Sequence, residues 1–207
     1  MIITSILLSD IAFCNASNDS LPTDPMPKAS ILLACHLIKG IPKLILCDWL
    51  ATDMHWQDKV NLAALANHYK FNIIDTQFIP ASELSASNSE QQLLLASIAQ
   101  LQQYLQGLRH TFELPLDTTL GTPFQQKVWQ ALLDIKHGDT ISYATLAQRV
   151  NNPKGFRAVA NANGKNPLSI FIPCHRVIGS DGKLGGYTGG VDKKAYLLAL
   201  EGVRCRS

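Results

Sequence analysis

The chain has 207 residues, which is enough for one or two domains with a buried core. Hydrophobic residues make up 46% of it and charged residues 16%, a balance that excludes wholesale disorder. The net charge of +2 is unevenly divided, because residues 1–115 hold six Lys/Arg against ten Asp/Glu and residues 116–207 hold twelve against six. The basic excess of the second half predicts a surface that faces a polyanion, although chance segregation would give the same counts.

The cysteines indicate a reducing compartment. They are odd in number and scattered, and they form no CxxC pair: Cys14, Cys35, Cys47, Cys174 and Cys205. This usage argues against a disulfide framework and predicts a cytoplasmic protein. Cys14 and the Cys35-His36 pair match no regular zinc spacing, so no metal site is predicted.

The first residues, MIITSILLSDIAFCNAS, resemble a signal peptide weakly. No Lys or Arg precedes Lys28, and Ser9 and Asp10 interrupt the apolar run. We therefore interpret residues 1–25 as a leader strand or an extension, with a secretion signal as the less favoured alternative. No run in the chain approaches the length of a membrane span, so no membrane association is predicted.

The N-terminal half is predicted to combine strands with a helix. The run ASILLACHLIKGIPKLILCDWL contains two apolar stretches around Lys39-Gly40-Ile41-Pro42, which is typical of a hairpin of half-buried strands. The run SNSEQQLLLASIAQLQQYLQG predicts a helix, with Ser87 and Glu90 at capping-box spacing and Gly107 at its end. The histidines of this half are isolated and indicate no chemical site.

The C-terminal half begins with a strongly signalled helix in GTPFQQKVWQALLDIKHG. Thr122 is its predicted N-cap, Pro123 suits the first position, Gln125 closes a capping box, and Gly138 ends the element. Four apolar residues are expected on its core face: Phe124, Val128, Leu132 and Ile135.

Two short helices follow, predicted over Tyr143–Arg149 and Pro153–Asn163 and joined by a tight turn, which is the helix-turn-helix pattern. Asn152 is expected to cap the second helix and Gly164 to follow its end. The exposed side of the second helix is predicted to carry two cations among small residues: Lys154, Arg157, Gly155, Ala158 and Ala162. Close approach and positive charge suit phosphates and predict nucleic-acid binding, although packing against another helix would also favour small residues.

The stretch FIPCHRVIGSDG places Cys174 between a predicted short buried strand and a turn. A cysteine at such a place is either a small core residue or a nucleophile whose pKa is lowered by cationic neighbours. His175 and Arg176 are such neighbours, but these residues by themselves leave both interpretations open.

Five segments, GTPFQQKVW, ISYATLA, NPKGFRAVANANGKNP, IPCHRVIG and GYTGG, stand in the order and spacing of the O6-alkylguanine-DNA alkyltransferases, the methylated-DNA–protein-cysteine methyltransferases. The chain resembles that family strongly over residues 116–202 and faintly before them. The resemblance implies an α+β fold. Residues 1–115 would form a small antiparallel sheet with helices, of ribonuclease-H-like shape. Residues 116–207 would form a mostly helical domain with a winged-helix-like helix-turn-helix.

The resemblance also implies the chemistry. Cys174 would irreversibly accept a methyl or other alkyl group from O6 of guanine in DNA, once per molecule and without a cofactor. His175 would act as a base on the thiol through a water molecule, and Glu201 would orient the imidazole. Tyr143 would donate a hydrogen bond to the base and help rotate the nucleotide out of the helix.

Further residues take implied roles around the substrate. The backbones of Cys174 and Val177 would accept hydrogen bonds from the guanine amino group, and Asn166 would fix the turn before the cysteine. Tyr187 and Thr188 would bind the substrate, with Thr188 at the position where O6 is contacted.

The implied partner is double-stranded DNA carrying O6-alkylguanine, bound by a monomer mainly through the minor groove. Arg157 matches the arginine that fills the space left by the extruded nucleotide. Phe156 departs from the alanine or glycine often found beside that arginine. It is expected to pack inward as core, with an altered groove contact as the alternative.

Two other classes of protein share some of these features. A cysteine hydrolase would pair Cys174 with a distant histidine and form an acyl intermediate, which the adjacent His175 does not favour. A helix-turn-helix regulator would explain the basic half of the chain but not the Pro-Cys-His-Arg segment.

Overall fold

The computed structural model describes residues 1–8 and 27–205. They form two compact units that divide after Leu120, whereas the sequence analysis places the boundary after residue 115. The architecture of these residues is α+β. The four-stranded sheet and three α-helices lie in the first unit, and the other four α-helices lie in the second. The predicted extension lies outside the described residues from position 9 to its end at position 25. Among the residues described, no helix is long and apolar enough to cross a membrane.

The first unit is built on a four-stranded sheet in the order β3-β2-β1-β4. Its strands are β1 (Ile2–Leu7), β2 (Ala29–Ile38), β3 (Ile41–Ala51) and β4 (Gln77–Phe78). The three long strands pair antiparallel, but β4 pairs parallel with β1, so the prediction of an antiparallel sheet is wrong at this edge. A parallel pair requires a long crossover connection, which the helical segments between β3 and β4 supply.

The predicted hairpin is confirmed as β2 and β3. Lys39 and Gly40 form its turn with positive φ angles of 53° and 77°, which is the geometry that matches the twist of two adjacent strands. Strand β2 is more buried than predicted, because its consecutive residues from Ala29 to Cys35 are all buried, whereas β3 is half-buried as expected. Helices on both faces of the sheet account for this burial.

Those helices are α1 (Trp56–Lys59), α2 (Leu62–Tyr69) and α3 (Ser89–Leu105), with 3₁₀ turns at Ile73–Asp75 and Ala81–Glu83. Leu65 of α2 packs with Leu32 and Ile45 on one face of the sheet, and α3 contacts β2 and β3. The N-cap of α3 is Asn88, whose side chain accepts from the backbone of Gln91 at 2.8 Å. The predicted capping box from Ser87 to Glu90 is therefore wrong by one residue.

Over residues 121–205, the second unit contains four helices and a pair of short strands. Its elements are α4 (Pro123–Leu133), β5 (Ile141–Ser142), α5 (Tyr143–Arg149), α6 (Phe156–Gly164), a 3₁₀ turn (Cys174–Arg176), β6 (Val177–Ile178) and α7 (Val191–Leu200). The capping box between Thr122 and Gln125 at the start of α4 is confirmed. Strands β5 and β6 pair in parallel. The predicted core face of α4 holds for Val128, Leu132 and Ile135, but Phe124 is partly exposed.

Helix α6 begins at Phe156 with Gly155 as its N-cap, and not at Pro153 with Asn152 as cap. The side chain of Asn152 lies against Gly155, where an added Cβ would come within 2.1 Å of it. A side chain held in that position does not cap the helix. Gly164 is the last residue of α6, and Lys165 is its C-cap.

Candidate active site

Cys174 begins a 3₁₀ turn at the end of an irregular buried segment. The predicted strand before it is wrong, because Ile172 takes part in a single bridge with Ser169 and its carbonyl accepts from the backbone N–H of Cys174 at 2.8 Å. Asn166 holds this segment from inside the fold. Its Nδ2 donates to the Ile172 carbonyl at 2.8 Å, and its Oδ1 accepts from the Leu168 N–H at 3.0 Å.

A cavity of about 480 Å³ opens beside Cys174. Five of the residues that the sequence analysis placed at the site share its wall: Tyr143, Asn166, Cys174, Tyr187 and Thr188. Asn163, which the sequence analysis did not single out, lines the same cavity. The volume lies within the range typical of pockets for small organic ligands.

A buried cluster of His175, Arg176 and Glu201 adjoins Cys174 in the chain. His175 Nε2 lies 3.0 Å from Glu201 Oε1, and both side chains are fully buried. Arg176 holds the same carboxylate through Nε, which is 2.9 Å from Oε2, and through Nη2, which is 2.9 Å from Oε1. Arg176 Nη1 also donates to the Ile135 carbonyl at 2.6 Å. Glu201 reaches this position because it is the C-cap of α7.

The protonation states in this cluster follow from burial and pairing. Burial by itself raises the pKa of Glu201, but hydrogen bonds from His175 and Arg176 and their charges outweigh it and leave the pKa well below its usual range. Burial lowers the pKa of His175 despite the opposing carboxylate, so the imidazole is neutral near pH 7. A carboxylate only accepts hydrogen bonds, so the imidazole proton belongs on Nε2 and a lone pair on Nδ1.

The pKa of the Cys174 thiol is raised, whereas its cationic neighbours in the chain would predict a lowered pKa. Burial raises its pKa, and hydrogen bonds from Asn166 and Tyr187 and the charge of Lys194 oppose that rise without cancelling it. The adjacent cation Arg176 is directed to Glu201. The resting sulfur is therefore a protonated thiol, and a base is needed to make it a nucleophile.

Lys194 is a site residue that the sequence analysis missed. It is fully buried on α7, where Nζ donates to the carbonyls of Val177 at 2.6 Å, Leu184, and Gly186 at 3.5 Å. Burial lowers its pKa from 10.5 to about 8, and ionisation of the Cys174 thiol opposes that shift. A signal was present in the sequence, because Lys194 stands three and four residues before the buried Leu197 and Leu198, on one helix face.

Three predicted substrate contacts are already engaged in this structure. The Val177 carbonyl accepts from Lys194, and the Thr188 hydroxyl donates to the Gly164 carbonyl at 2.6 Å. The carbonyl of Cys174 accepts from Asn163 Nδ2 at 3.3 Å. Tyr143 lies on the cavity wall with its pKa raised by burial, and Lys194 Nζ is 5.9 Å from the centroid of its ring.

The helix predicted to bind nucleic acid presents its cations as expected, with Lys154, Arg157 and Ala158 exposed. Two predictions about it are wrong. Ala162 is 3% exposed, and its carbonyl accepts from Trp129 Nε1 at 2.8 Å, so it packs inside the unit. Phe156 is 50% exposed and is not core; the guanidinium carbon of Arg157 lies 5.8 Å from the centroid of its ring.

No group of three or more His, Cys, Asp or Glu side chains that could hold a metal ion occurs within residues 1–8 and 27–205.

The family described as 6-O-methylguanine DNA methyltransferase, DNA binding domain, matches residues 123–203. The constitutive methylated-DNA–protein-cysteine methyltransferase of Bacillus subtilis is 55% identical over 103 residues, which are 49% of this chain and 62% of that protein. The corresponding protein of Methanosarcina mazei is 50% identical over 102 residues, 49% of this chain and 64% of its own. The chain thus matches less than two thirds of the length of these curated relatives.

A solved structure extends the similarity to most of the chain. The crystal structure of Mycobacterium tuberculosis O6-methylguanine methyltransferase is 31% identical, covers 86% of this chain and 88% of its own, and superposes with a TM-score of 0.61. This identity and coverage show that the chain belongs to the O6-methylguanine methyltransferase family.

Proposed function

We propose that this protein repairs DNA by direct reversal, transferring a methyl or other alkyl group from O6 of guanine to Sγ of Cys174. The observation that carries the proposal is the position of Cys174, at the wall of a cavity of about 480 Å³ and next to the buried His175–Glu201 pair. In the transfer, the bond between O6 and the alkyl carbon breaks and a thioether bond forms. Guanine leaves with the electron pair and takes up a proton.

The proton of the thiol needs an acceptor, because burial keeps Cys174 protonated at rest. His175 supplies the acceptor as a neutral imidazole whose Nε2 proton is held by Glu201. Its Nδ1 lone pair takes the thiol proton through a water molecule. The resulting imidazolium is stabilised by the Glu201 carboxylate 3.0 Å away, as in other nucleophile–base–orienter arrangements.

Residues of the cavity assist the leaving group and the substrate. The Tyr143 hydroxyl donates a hydrogen bond to the extruded base. Tyr187 and Asn166 lower the pKa of the Cys174 thiol and so stabilise the thiolate. The Thr188 hydroxyl is engaged with the Gly164 carbonyl, so Thr188 contacts O6 through its backbone N–H. The carbonyls of Cys174 and Val177 face the amino edge of the base.

The alkylated protein is a final product. A thioether offers no good leaving group, so no second thiol resolves it as it would resolve a disulfide or a sulfenic acid. Each molecule therefore repairs one lesion and stops. The reaction consumes only the thiol and the alkylated base, so it requires no cofactor or metal.

The proposed partner is double-stranded DNA with O6-alkylguanine, bound by a monomer through the minor groove and away from membranes. Reaching O6 requires extrusion of the nucleotide, which costs a few kcal/mol of stacking and pairing. Arg157 fills the vacated space, and Lys154, Gly155 and Ala158 approach the backbone. The exposure of Lys154, just before α6, and of Arg157 on α6 supports this assignment, as does a Mycobacterium tuberculosis OGT solved in complex with DNA, 29% identical with a TM-score of 0.64.

The same proposal includes the finer fold. The first unit has a ribonuclease-H-like shape, and α5 and α6 form a winged-helix-like helix-turn-helix. The tight turn between these helices, where Asn151 takes a φ of 57°, supports the second part.

The test is mass spectrometry after incubation with a duplex that carries O6-methylguanine. The expected result is a gain of one methyl group on Cys174, reaching a plateau at one equivalent per molecule. Cys174→Ser should gain none and should bind DNA within a few-fold of wild type, whereas Cys205→Ser, at a partly exposed thiol, should still gain one. An unmodified wild-type protein that still binds DNA would favour a helix-turn-helix regulator, and a transient acyl adduct would favour a hydrolase.

A further inference from the structure

Phe156 exposes an aromatic ring to solvent at the start of α6. It is 50% exposed, which makes it the most exposed phenylalanine within residues 1–8 and 27–205. In Phe78, the other exposed phenylalanine of these ranges, the ring is stacked on that of Trp56, with the centroids 5.8 Å apart. A single exposed apolar residue is normal in a protein, so the surroundings of the Phe156 ring decide whether it has a role.

The neighbours of Phe156 in the chain suit a nucleic acid. Lys154 and Arg157 are exposed on either side of it, and the guanidinium carbon of Arg157 lies 5.8 Å from the centroid of the ring. Ala158 is also exposed and carries only a methyl group, so it leaves room for a large partner to approach. An aromatic ring between cations is complementary to a polyanion that carries planar bases.

The ring also stands on the side of α6 that leads to Cys174. Phe156 is the first residue of α6, and Ala160, which follows one turn later, lines the cavity beside Cys174. Residues four apart lie on one face of a helix, about 6 Å from each other, so Phe156 is next to the cavity wall. A base that enters this cavity therefore leaves its place in the duplex close to the Phe156 ring.

Extrusion of a nucleotide uncovers the apolar faces of the bases next to it, and the lost stacking is part of its cost. A guanidinium group is smaller than a purine, so Arg157 by itself does not cover the vacated space. Proteins that bind the minor groove often insert apolar side chains between base steps.

We propose that Phe156 is an aromatic wedge, whose ring enters the vacated space beside Arg157 and stacks on the neighbouring base. The inference rests on the proposed function and adds to it a residue that holds the extruded state. The ring contributes fully only where a base has left the stack, because in an intact duplex the same contact requires the stack to be opened first.

The experiment compares binding to two duplexes of the same sequence, one intact and one with an abasic site, in which the vacated space already exists. Both dissociation constants are measured at one salt concentration, and contacts to the DNA backbone cancel in their ratio. Phe156→Ala is expected to lower the selectivity for the abasic duplex about tenfold, which is the size of one base–aromatic stack. Phe156→Tyr keeps an aromatic face and should retain the selectivity of wild type.

Leu37→Ala is the control for the loss of an exposed apolar side chain, because Leu37 is exposed to a similar extent and lies on β2 of the first unit. It should leave the selectivity unchanged. Equal losses of affinity for the two duplexes in Phe156→Ala overturn the inference, and so does a Phe156→Tyr variant that is as unselective as Phe156→Ala. Wild-type protein that gains no methyl group on Cys174 from an O6-methylguanine duplex of the same sequence overturns the proposed function itself.

Discussion

Arg176 and Glu201 form a buried ion pair in which two guanidinium nitrogens each lie 2.9 Å from a different carboxylate oxygen. His175 contacts the same carboxylate at 3.0 Å. One carboxylate thus pairs with a permanent buried cation and contacts the imidazole of the residue that follows Cys174. Breaking a buried ion pair on one side leaves an uncompensated charge, which costs more than the net contribution of the pair.

Glu201→Gln is therefore expected to lower the free energy of unfolding by about 3–5 kcal/mol. It should also slow alkyl transfer, because an amide does not stabilise an imidazolium. Urea denaturation and the single-turnover rate measure the two effects. Asp134→Asn, at the exposed C-cap of α4, is the matched control and should change stability by less than about 0.5 kcal/mol.

Adding Arg176→Met to Glu201→Gln should restore part of the lost stability, since the unpaired cation is then gone. The double variant should remain slow, because the partner of His175 is still missing. Stability losses that simply add in the double variant would show that the two residues are not coupled.

The lowered pKa of the buried Lys194 should make the stability of the protein depend on pH. Its pKa in the folded protein is about 8, against 10.5 when unperturbed. Between these values the unfolded chain binds more protons than the folded one, so this residue makes the protein more stable as the pH rises from 8 to 10.5. Below pH 8 both states carry the charge, and the full cost of burying it is present.

Lys194→Met should remove this contribution. The difference in free energy of unfolding between wild type and variant, measured in urea at pH 7.5 and again at pH 9.5, is expected to move in favour of wild type at the higher pH. The difference between wild type and variant cancels the contributions of other titratable groups to the pH dependence of stability. One such group is Cys35, whose pKa burial raises to about 12 and which makes the protein less stable as the pH rises. A difference that stays constant between the two pH values would contradict the assignment.

The sequence predicted those parts of the fold that depend on neighbours in the chain. The hairpin turn at Lys39-Gly40 and the capping box from Thr122 to Gln125 are local, and both are confirmed. The start of α6 was missed because the Asn152 side chain packs on Gly155, a contact that a propensity for capping does not express.

The parts of the site that were missed depend on distant contacts. A lysine in a helix is expected at the surface. Lys194 is buried instead, because the carbonyls of Val177, Leu184 and Gly186 accept hydrogen bonds from its ammonium group. Ala162 is predicted on the exposed side of the helix, but it is 3% exposed and its carbonyl accepts from the Trp129 indole, 33 residues earlier in the chain. The resemblance to a family singled out Cys174 and His175, but it did not predict the raised pKa of the thiol, which results from burial.

DNA affinity should fall steeply with salt and depend little on sequence, because phosphate contacts dominate. Lys154→Ala is expected to weaken binding and to reduce the slope of log affinity against log salt by about one. Lys39→Ala, at an exposed lysine in the β2–β3 turn, is the control and should leave the slope unchanged. Binding that does not respond to salt would show that the exposed face of α6 does not meet DNA.

Phe156 is half exposed, so replacing it should change the affinity for DNA and not the stability of the fold. Phe156→Ala is expected to weaken binding to duplex DNA while it changes the free energy of unfolding by less than about 0.5 kcal/mol. Val159→Ala on the same helix is the contrasting variant, since Val159 is fully buried and loses core contacts; it should cost about 1–3 kcal/mol. A large loss of stability in Phe156→Ala would show that the ring contributes to the core and would contradict this prediction.

Arg157→Ala separates extrusion of the base from chemistry at the sulfur. The exposed Arg157 side chain is proposed to fill the stack after the nucleotide leaves, a task that arises only in a duplex. The variant should therefore react much more slowly with O6-methylguanine in duplex DNA, yet react with free O6-benzylguanine nearly as fast as wild type. Single-turnover rates with both substrates give the comparison, and Arg149→Ala, an exposed arginine in the last turn of α5, is the matched control. Equal losses of rate on the two substrates would mean that Arg157 supports the structure of the site and does not hold the extruded state.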